Sequence, residues 1–464
     1  MPTFDPIALA RETSGSWTRL PTQPLKGFGM DTRKLGAGQV FVAIQTAQRD
    51  GHDFIGAAAA AGAVGALVAR EDAACDLPQL VVADPLKAWH AIARAHRRSF
   101  GKPVVGISGS AGKTSTKNLL ALLLGDRVLA TEGNLNNHLG VPLTLTRLDS
   151  AQHDFAVIEA GISAPDEMAP LAGMIEPDVA IVTMVGNAHT EELGGLEGVA
   201  REKAVLAETI RGTGIAVFPE NCRIYGPFRD LDVRTMTVER ADVLRPSTPR
   251  KDCTYFTVTH RDGETALAIA YGLPPPMVFT MRRVSDGMAQ NAVLAICAAL
   301  WLGVGRETIQ RRLLDWRAPK LRGEIREDRD RLYYLDCYNA NPESMSDALR
   351  AFVNLVPDER PRLYLLGNME ELGPTAPDHH RTLGAGLRLR PQDHVCVIGT
   401  DAAAVRAGAI ESGASPEQIE VLSDLGPAAS RLRDWRGAVF LKGSRRYQLE
   451  TILQEAAVLA EAPL

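Results

Sequence analysis

The sequence predicts a three-domain α/β protein: an N-terminal mixed α/β domain over residues 1–101, a central doubly wound α/β domain over 102–318 with a small antiparallel addition, and a C-terminal Rossmann-like domain over 319–464. Three observations predict it. The 464 residues are too many for one ordinary domain. From Lys102 onward, continuous apolar runs recur between helical stretches, as in parallel strands covered on both faces. After Pro319 the alternation of strand and helix starts afresh, which marks a further unit.

In the first hundred residues, short strands at Val40–Ile44, Ala66–Val68 and Leu80–Val82 mix with alanine-rich helices. Next comes the strand Pro103–Ser108, a glycine-rich turn, and a helix Lys113–Leu124 ended by Gly125. The apolar runs Phe155–Ala160, Val179–Val185 and Ile215–Phe218 continue the central sheet, with a helix at Gly198–Ile210. Tyr255–His260 and Thr265–Tyr271 flank an Asp262-Gly263 turn, a hairpin signal, before Pro274–Pro276 breaks the chain. The C-terminal strands are expected at Leu332–Asp336, Leu363–Gly367, His394–Ile398, Ile419–Leu422 and Ala438–Lys442, with a helix at Ser344–Val353 among the connections.

Composition excludes several classes. The 51 basic and 56 acidic residues leave a net charge of −5, without the basic excess of a nucleic-acid binder. Cysteines at 75, 222, 253, 297, 337 and 396 form no CxxC pair, so no zinc ribbon or disulfide framework is expected. Reduced thiols fit the cytoplasm. Met1–Ala10 lacks the pattern of a signal peptide. The apolar runs Ile55–Ala69 and Ala292–Gly305 fall short of the roughly 18 residues that span a bilayer, and read as small-residue core helices. A soluble, cytoplasmic monomer without membrane insertion is the expectation.

Between strand and helix stands Gly109-Ser110-Ala111-Gly112-Lys113-Thr114. Glycines let backbone N–H groups approach phosphate oxygens, and the helix N-terminus adds partial positive charge. Lys113 would neutralise the outer phosphates, and Thr114 could ligate magnesium. Gly106 lies one residue too early for the full phosphate-loop pattern, and the loop alone fits an ATPase, a kinase or a switch protein equally. Glu159 ends an apolar strand, where α/β proteins place ligand-binding groups, and an oxygen ligand suits magnesium. His189 follows the next strand, and Lys203 sits in the following helix.

The phosphate loop, Thr131-Glu132-Gly133-Asn134-Leu135-Asn136-Asn137, Glu159-Ala160-Gly161, Ala188-His189, Lys203 and Asp336-Cys337-Tyr338-Asn339-Ala340-Asn341-Pro342 together resemble the Mur ligase family. Asp31-Thr32-Arg33, Asp50-Gly51-His52-Asp53-Phe54, Leu366–Gly373 and Lys442-Gly443-Ser444-Arg445 point to the branch whose amine substrate is D-alanyl-D-alanine. The motifs stand in family order and cover nearly the whole chain.

The resemblance implies a UDP-sugar domain, a central phosphate-loop ATPase and a C-terminal lid. It implies an ATP- and Mg2+-dependent ligase that joins D-alanyl-D-alanine to UDP-N-acetylmuramoyl-tripeptide through an acyl phosphate, releasing ADP and phosphate. It assigns Lys113 and Thr114 to the ATP phosphates and magnesium, and Glu159 and His189 to metals. Lys203 matches a lysine that becomes carbamylated and helps order a metal. Asn291 would lie near the adenine, with Arg322, Asp336, Tyr338 and Asn339 at the nucleotide. Asn134 and Asn137 would face the sugar-peptide, as would Asp31 and Arg33 in the N-terminal domain. Lys442, Ser444 and Arg445 would meet the incoming dipeptide.

The chemistry is consistent with that assignment. A carboxylate does not accept an amine until phosphorylation supplies a leaving group, and phosphoryl transfer between anions needs cationic clamps. The chain departs from the family pattern at Gln45–Gln48, Met184, Gly287 and Asn368. Read locally, Asn136-Asn137-His138 would simply cap a turn; the resemblance favours a substrate role instead. His379 and His380 read as solvent-facing, not as metal ligands.

Overall fold

The computed structural model describes residues 2–244, 250–261, 263–271, 275–328 and 330–455. Asp262 of the expected hairpin turn and Pro274 of the expected break lie outside them. Three sheets organise the rest.

In the N-terminal sheet, Ser16–Trp17 pairs antiparallel with Gln79–Val81, and Gly65–Val68, Val40–Val42 and Phe28–Gly29 follow in parallel. The expected Ile55–Ala69 helix is correct only for Ile55–Ala60, because the chain turns and re-enters the sheet at Gly65. Asp84 caps the long helix Pro85–Ser99 through the amides of Leu86 and Lys87. Its last turn reaches the central unit. The Arg97 side chain, 1% exposed, donates to the carbonyls of Ile175 and Glu176 at 2.8 and 2.7 Å and to Asp178 Oδ2 at 2.8 Å.

The central sheet has nine strands. Across it run Val128–Ala130, Phe155–Glu159, Val104–Ser108, Val179–Val182, Ile215–Pro219, Thr235–Arg240 and Cys253–Arg261, all parallel. Glu264–Ile269 and Met277–Arg282 then continue it antiparallel, so the expected hairpin extends the main sheet. Side-chain alternation assigns the two faces. Val105 and Ile107 pack under the helices Lys113–Leu124 and Asp286–Trp301, while Val104 and Ala156 pack under Met168–Ile175 and Leu196–Glu208. The apolar run expected to Val185 leaves the sheet at Val182, and residues 183–189 form a loop instead.

The C-terminal sheet runs Glu324–Asp328, Arg331–Leu335, Gly437–Lys442, Arg362–Gly367, His394–Ile398 and Ile419–Leu422, antiparallel only at its first pair. Asn341 caps the helix Pro342–Leu355 in a reciprocal capping box with Ser344. Contrary to expectation, His380 is buried: its Nε2 accepts the Met369 N–H at 2.9 Å and its Nδ1 donates to Ala376 O at 2.7 Å. All six cysteines are unpaired, and among the described residues no helix is long and apolar enough to cross a membrane.

Removing one partner of a buried charge network typically costs about 3–5 kcal/mol. Arg97→Ala is therefore expected to lower the first calorimetric unfolding transition by several degrees. An unchanged transition would show that Arg97 does not bind the two units together.

Candidate active site

The strand Val104–Ser108 is buried throughout and delivers the chain to a loop whose glycines are required by shape. Gly109 has φ +146°, and an ideal Cβ there would lie 3.0 Å from the Thr183 backbone nitrogen. Gly112 has φ +81°, and its Cβ would come within 3.0 Å of Asn291 Cγ. Only glycine satisfies both the left-handed backbone and the close approach. Gly112 also begins the Lys113–Leu124 helix without any side-chain cap, so the first helical amides are free for an anion. Thr183 Oγ1 donates to Ala111 O at 2.5 Å, and Ser110 Oγ bridges both backbone groups of Gly186 at 2.9 Å.

This loop floors a cavity of about 950 Å³ between the central and C-terminal units. Lys113 points its ammonium back to Gly109 O at 2.6 Å. Burial pulls its pKa down, opposed by the Glu159 carboxylate. One turn on, Lys117 donates to Thr131 O at 2.5 Å and is shifted down by burial in the same way. Thr131 in turn accepts the Glu159 amide at 2.9 Å, which fixes the end of that strand.

Glu159 is 2% exposed. Its Oε1 accepts from Thr114 Oγ1 at 3.2 Å and from Asn136 Nδ2 at 2.8 Å, but its buried Oε2 has no hydrogen-bond partner among the described residues. A buried acceptor-only oxygen left unsatisfied carries a desolvation penalty that a cation would remove. The donor set is carboxylate and hydroxyl oxygen beside an anion-binding loop, which fits magnesium.

His189 lines the same cavity in a left-handed conformation, φ +56°, with its Nδ1 2.5 Å from Glu371 Oε2 of the C-terminal unit. Lys203, on the helix Leu196–Glu208, is not part of the cavity lining; it is 1% exposed and has no ion-pair partner among the described residues. Burial first, then the neighbouring Lys113, lowers its pKa to about 7. Asn134 and Asn137 reach the cavity wall, and Asn137 Oδ1 also caps the turn through the amides of Leu139 and Gly140 at 3.1 and 3.0 Å.

The C-terminal unit brings Arg322, Asp336, Tyr338, Asn339 and Lys442 to the opposite wall. Arg322 stacks over the Tyr338 ring at 3.9 Å. Lys442 is held by Asp336 Oδ2 at 2.5 Å and by Asn339 O at 3.2 Å, so its ammonium already has an internal partner. Ser444 Oγ accepts the Glu370 amide at 3.1 Å and lies outside the cavity lining, while Arg445 pairs with Glu450. Asp31 and Arg33 pair with one another on the N-terminal unit, away from the cavity. Gln45–Gln48 sits beside the Asp50–Phe54 motif, where Gln45 bridges to Asp50 and Thr46 N donates to Arg49 O at 2.8 Å.

Sequence reasoning passed over Thr183, Lys117 and two acidic residues that cross between units. Asn187 donates its amide and its Nδ2 to Glu343 Oε1 at 2.9 and 2.7 Å, and Glu371 meets His189. Glu371 stands within the motif Leu366–Gly373 but without a role of its own, while Glu343 follows directly on the motif that ends at Pro342, where a first-turn helical glutamate has a sufficient local reason to exist. Gly112→Ala adds a Cβ to a left-handed position against Asn291. It is expected to weaken ATP-analogue binding at least about tenfold with the fold retained, as read by calorimetry and circular dichroism, because the loop cannot hold both the side chain and a phosphate. Unaltered affinity would remove the loop from the site.

Comparison with known proteins agrees with this geometry. The chain matches the Mur ligase middle domain over residues 107–299, the Mur ligase glutamate ligase domain over 321–445 and the Mur ligase family catalytic domain over 24–97. It is 32% identical over 410 residues to the UDP-N-acetylmuramoyl-tripeptide–D-alanyl-D-alanine ligase of Synechocystis sp., covering 86% of this chain and 84% of that one. Its fold superposes on crystal structure I of MurF from Acinetobacter baumannii with a TM-score of 0.86 at 26% identity, covering 98% and 99% of the two chains. The MurF ligase of Thermotoga maritima in complex with ADP superposes with a TM-score of 0.78 at 25% identity, covering 93% and 97%. With the three domain models in order along one chain and their glycine loop, buried glutamate and facing arginine gathered at one cavity, the protein belongs to the Mur ligase family.

Proposed function

We propose that the chain is the ATP-dependent ligase that adds D-alanyl-D-alanine to UDP-N-acetylmuramoyl-tripeptide in peptidoglycan precursor synthesis, acting in the cytoplasm as a monomer. One observation carries the reaction type: the uncapped loop Gly109–Thr114 and the half-satisfied Glu159 face Arg322 of another unit across a single cavity. The relatives supply the substrate pair.

In this reading the free loop amides and Lys113 hold the ATP phosphates, Asn291 and Arg322 hold the nucleoside side, and Asn134 and Asn137 hold the acceptor peptide. Thr114, Glu159 and His189 would hold magnesium. Bound there, magnesium neutralises charge that builds between two anionic reactants. The acceptor carboxylate takes the terminal phosphoryl group, which turns its oxygen into a leaving group. The dipeptide amine then attacks the carbonyl carbon, phosphate departs, and the amine proton is lost. The C-terminal contacts of Glu343 and Glu371 keep the second unit over the cavity, limiting water that would hydrolyse the acyl phosphate. Asp336, Tyr338 and Asn339 order the nucleotide wall, and Lys442 acts with Asp336 beside the region assigned to the dipeptide, with Ser444 and Arg445 supporting it.

Lys203 is the carbamylation candidate in this reading. Its lowered pKa, set by burial, leaves a neutral amine that can add to CO2 with loss of a proton, and the resulting anion would relieve its proximity to Lys113.

Phosphate release by purified protein with Mg-ATP, UDP-N-acetylmuramoyl-tripeptide and D-alanyl-D-alanine, each omitted in turn, tests the whole reading. Release is expected only with all three, together with a pentapeptide product by mass spectrometry. ATP hydrolysis that ignores both acceptor and amine would instead identify a nucleotide-driven switch. Separately, Lys203→Ala is expected to lose at least about 100-fold in turnover and to regain part of it with added small carboxylic acids; undiminished turnover would withdraw the carbamate.

A further inference from the structure

The first turns of the helix Asp286–Trp301 line the cavity through Asp286, Gly287, Met288, Gln290 and Asn291, and the rest of the helix packs into the core. Asn291 on this helix packs against Gly112 of the phosphate loop. Gly287, one turn earlier on the same face, stands about 6 Å along the helix axis from Asn291. Phe256, Val284, Met288 and Trp316 line the cavity beside that turn, a setting suited to a flat aromatic base. A nucleotide with its phosphates on Gly109–Thr114 would extend its base towards this end.

What faces Gly287 there comes from the other unit. Asp347, on the helix Pro342–Leu355, accepts the Gly287 N–H through Oδ1 at 2.9 Å. An ideal Cβ on Gly287 would lie 2.6 Å from Asp347 Oδ2, so the carboxylate occupies the room that a side chain at 287 would fill. Both residues line the cavity; Arg350 Nη2, also in the lining, stands 4.0 Å from Asp347 Oδ1, and Oδ2 has no hydrogen-bond partner among the described residues. Gly287 is one of the positions at which the chain departs from the family pattern. The structure shows what the missing side chain admits.

We propose that Asp347 reads the nucleotide base, selecting adenine over guanine, with Gly287 as the opening that lets it in. The inference rests on the ATP reading of the cavity. An ionised carboxylate only accepts hydrogen bonds. Adenine carries an amino group at C6 that can donate to Oδ2, whereas guanine carries a carbonyl oxygen there, which would meet the carboxylate acceptor to acceptor. A site built to receive a donor rejects the analogue that lacks it much more strongly than a hydrophobic slot does. Because Asp347 belongs to the C-terminal unit, base selection would be made only with that unit docked.

The test is calorimetric titration of the full chain with the magnesium complexes of the β,γ-imido analogues of ATP and GTP. Wild type is expected to favour the adenine analogue, and Asp347→Asn, which can turn an amide N–H towards the guanine oxygen, to reduce the ratio of the two dissociation constants at least about tenfold. Gly287→Ser, which displaces the carboxylate without altering it, is expected to reduce the ratio as well. Thermal melts verify that both variants fold. Equal weakening of the two analogues in both variants would reduce Asp347 to a contact that holds the units together and overturn the proposal, while the ATP reading stood. Wild type that binds neither analogue would remove both.

Discussion

A carboxylate buried with one oxygen unsatisfied is the constraint around which the site is arranged. Glu159 sits at the end of a parallel strand, with Oε1 taken by Thr114 and Asn136 and Oε2 left without a hydrogen-bond partner among the described residues. Leaving a buried acceptor unmade costs about 1–3 kcal/mol, more when it is charged. Such a group persists where a cation completes it. Its neighbours fit that need: a threonine hydroxyl, a loop of unpaired amides and lysines whose pKa values burial has lowered.

The strand order of the central sheet makes this arrangement possible. Val104–Ser108 lies between Phe155–Glu159 and Val179–Val182, so the phosphate loop, Glu159 and the loop to His189 leave the same edge side by side. That edge is where open α/β sheets bind ligands. The neighbouring units are attached in different ways. The N-terminal one is joined through buried Arg97 and its carbonyl partners. The C-terminal one meets the central sheet through side chains that themselves line or flank the cavity, Glu343, Asp347 and Glu371.

Much of the fold was legible in the residues. The helix Lys113–Leu124 and the strands His394–Ile398 and Ile419–Leu422 match their sequence-read bounds, because glycine stops and short apolar or alternating runs are local signals. The misses have a common cause. Val128–Ala130 is apolar but only three residues long, and Thr235–Arg240 and Glu324–Asp328 are partly exposed strands broken by polar residues; all three form because a neighbouring strand offers hydrogen bonds. Thr183–Val185 looked like a continuation of the strand, but the Thr183 hydroxyl bonds to Ala111 and Ser110 holds Gly186, which draws the segment into the loop. His380 looked like a surface residue because sequence does not show that its ring bridges Met369 and Ala376.

The sequence by itself determined the chemistry available: a glycine loop with lysine and threonine, a strand-end glutamate, and an ordered set of motifs that belong to a Mur ligase. These are local patterns, and short-range geometry dictates them. Only the tertiary structure decided which groups have partners. It paired Lys442 with Asp336 and Asp31 with Arg33, left Glu159 Oε2 without a hydrogen-bond partner among the described residues, and carried Glu343 and Asp347 across from another unit. Whether a charge is satisfied depends on contacts between residues far apart in the chain, and no local pattern records them.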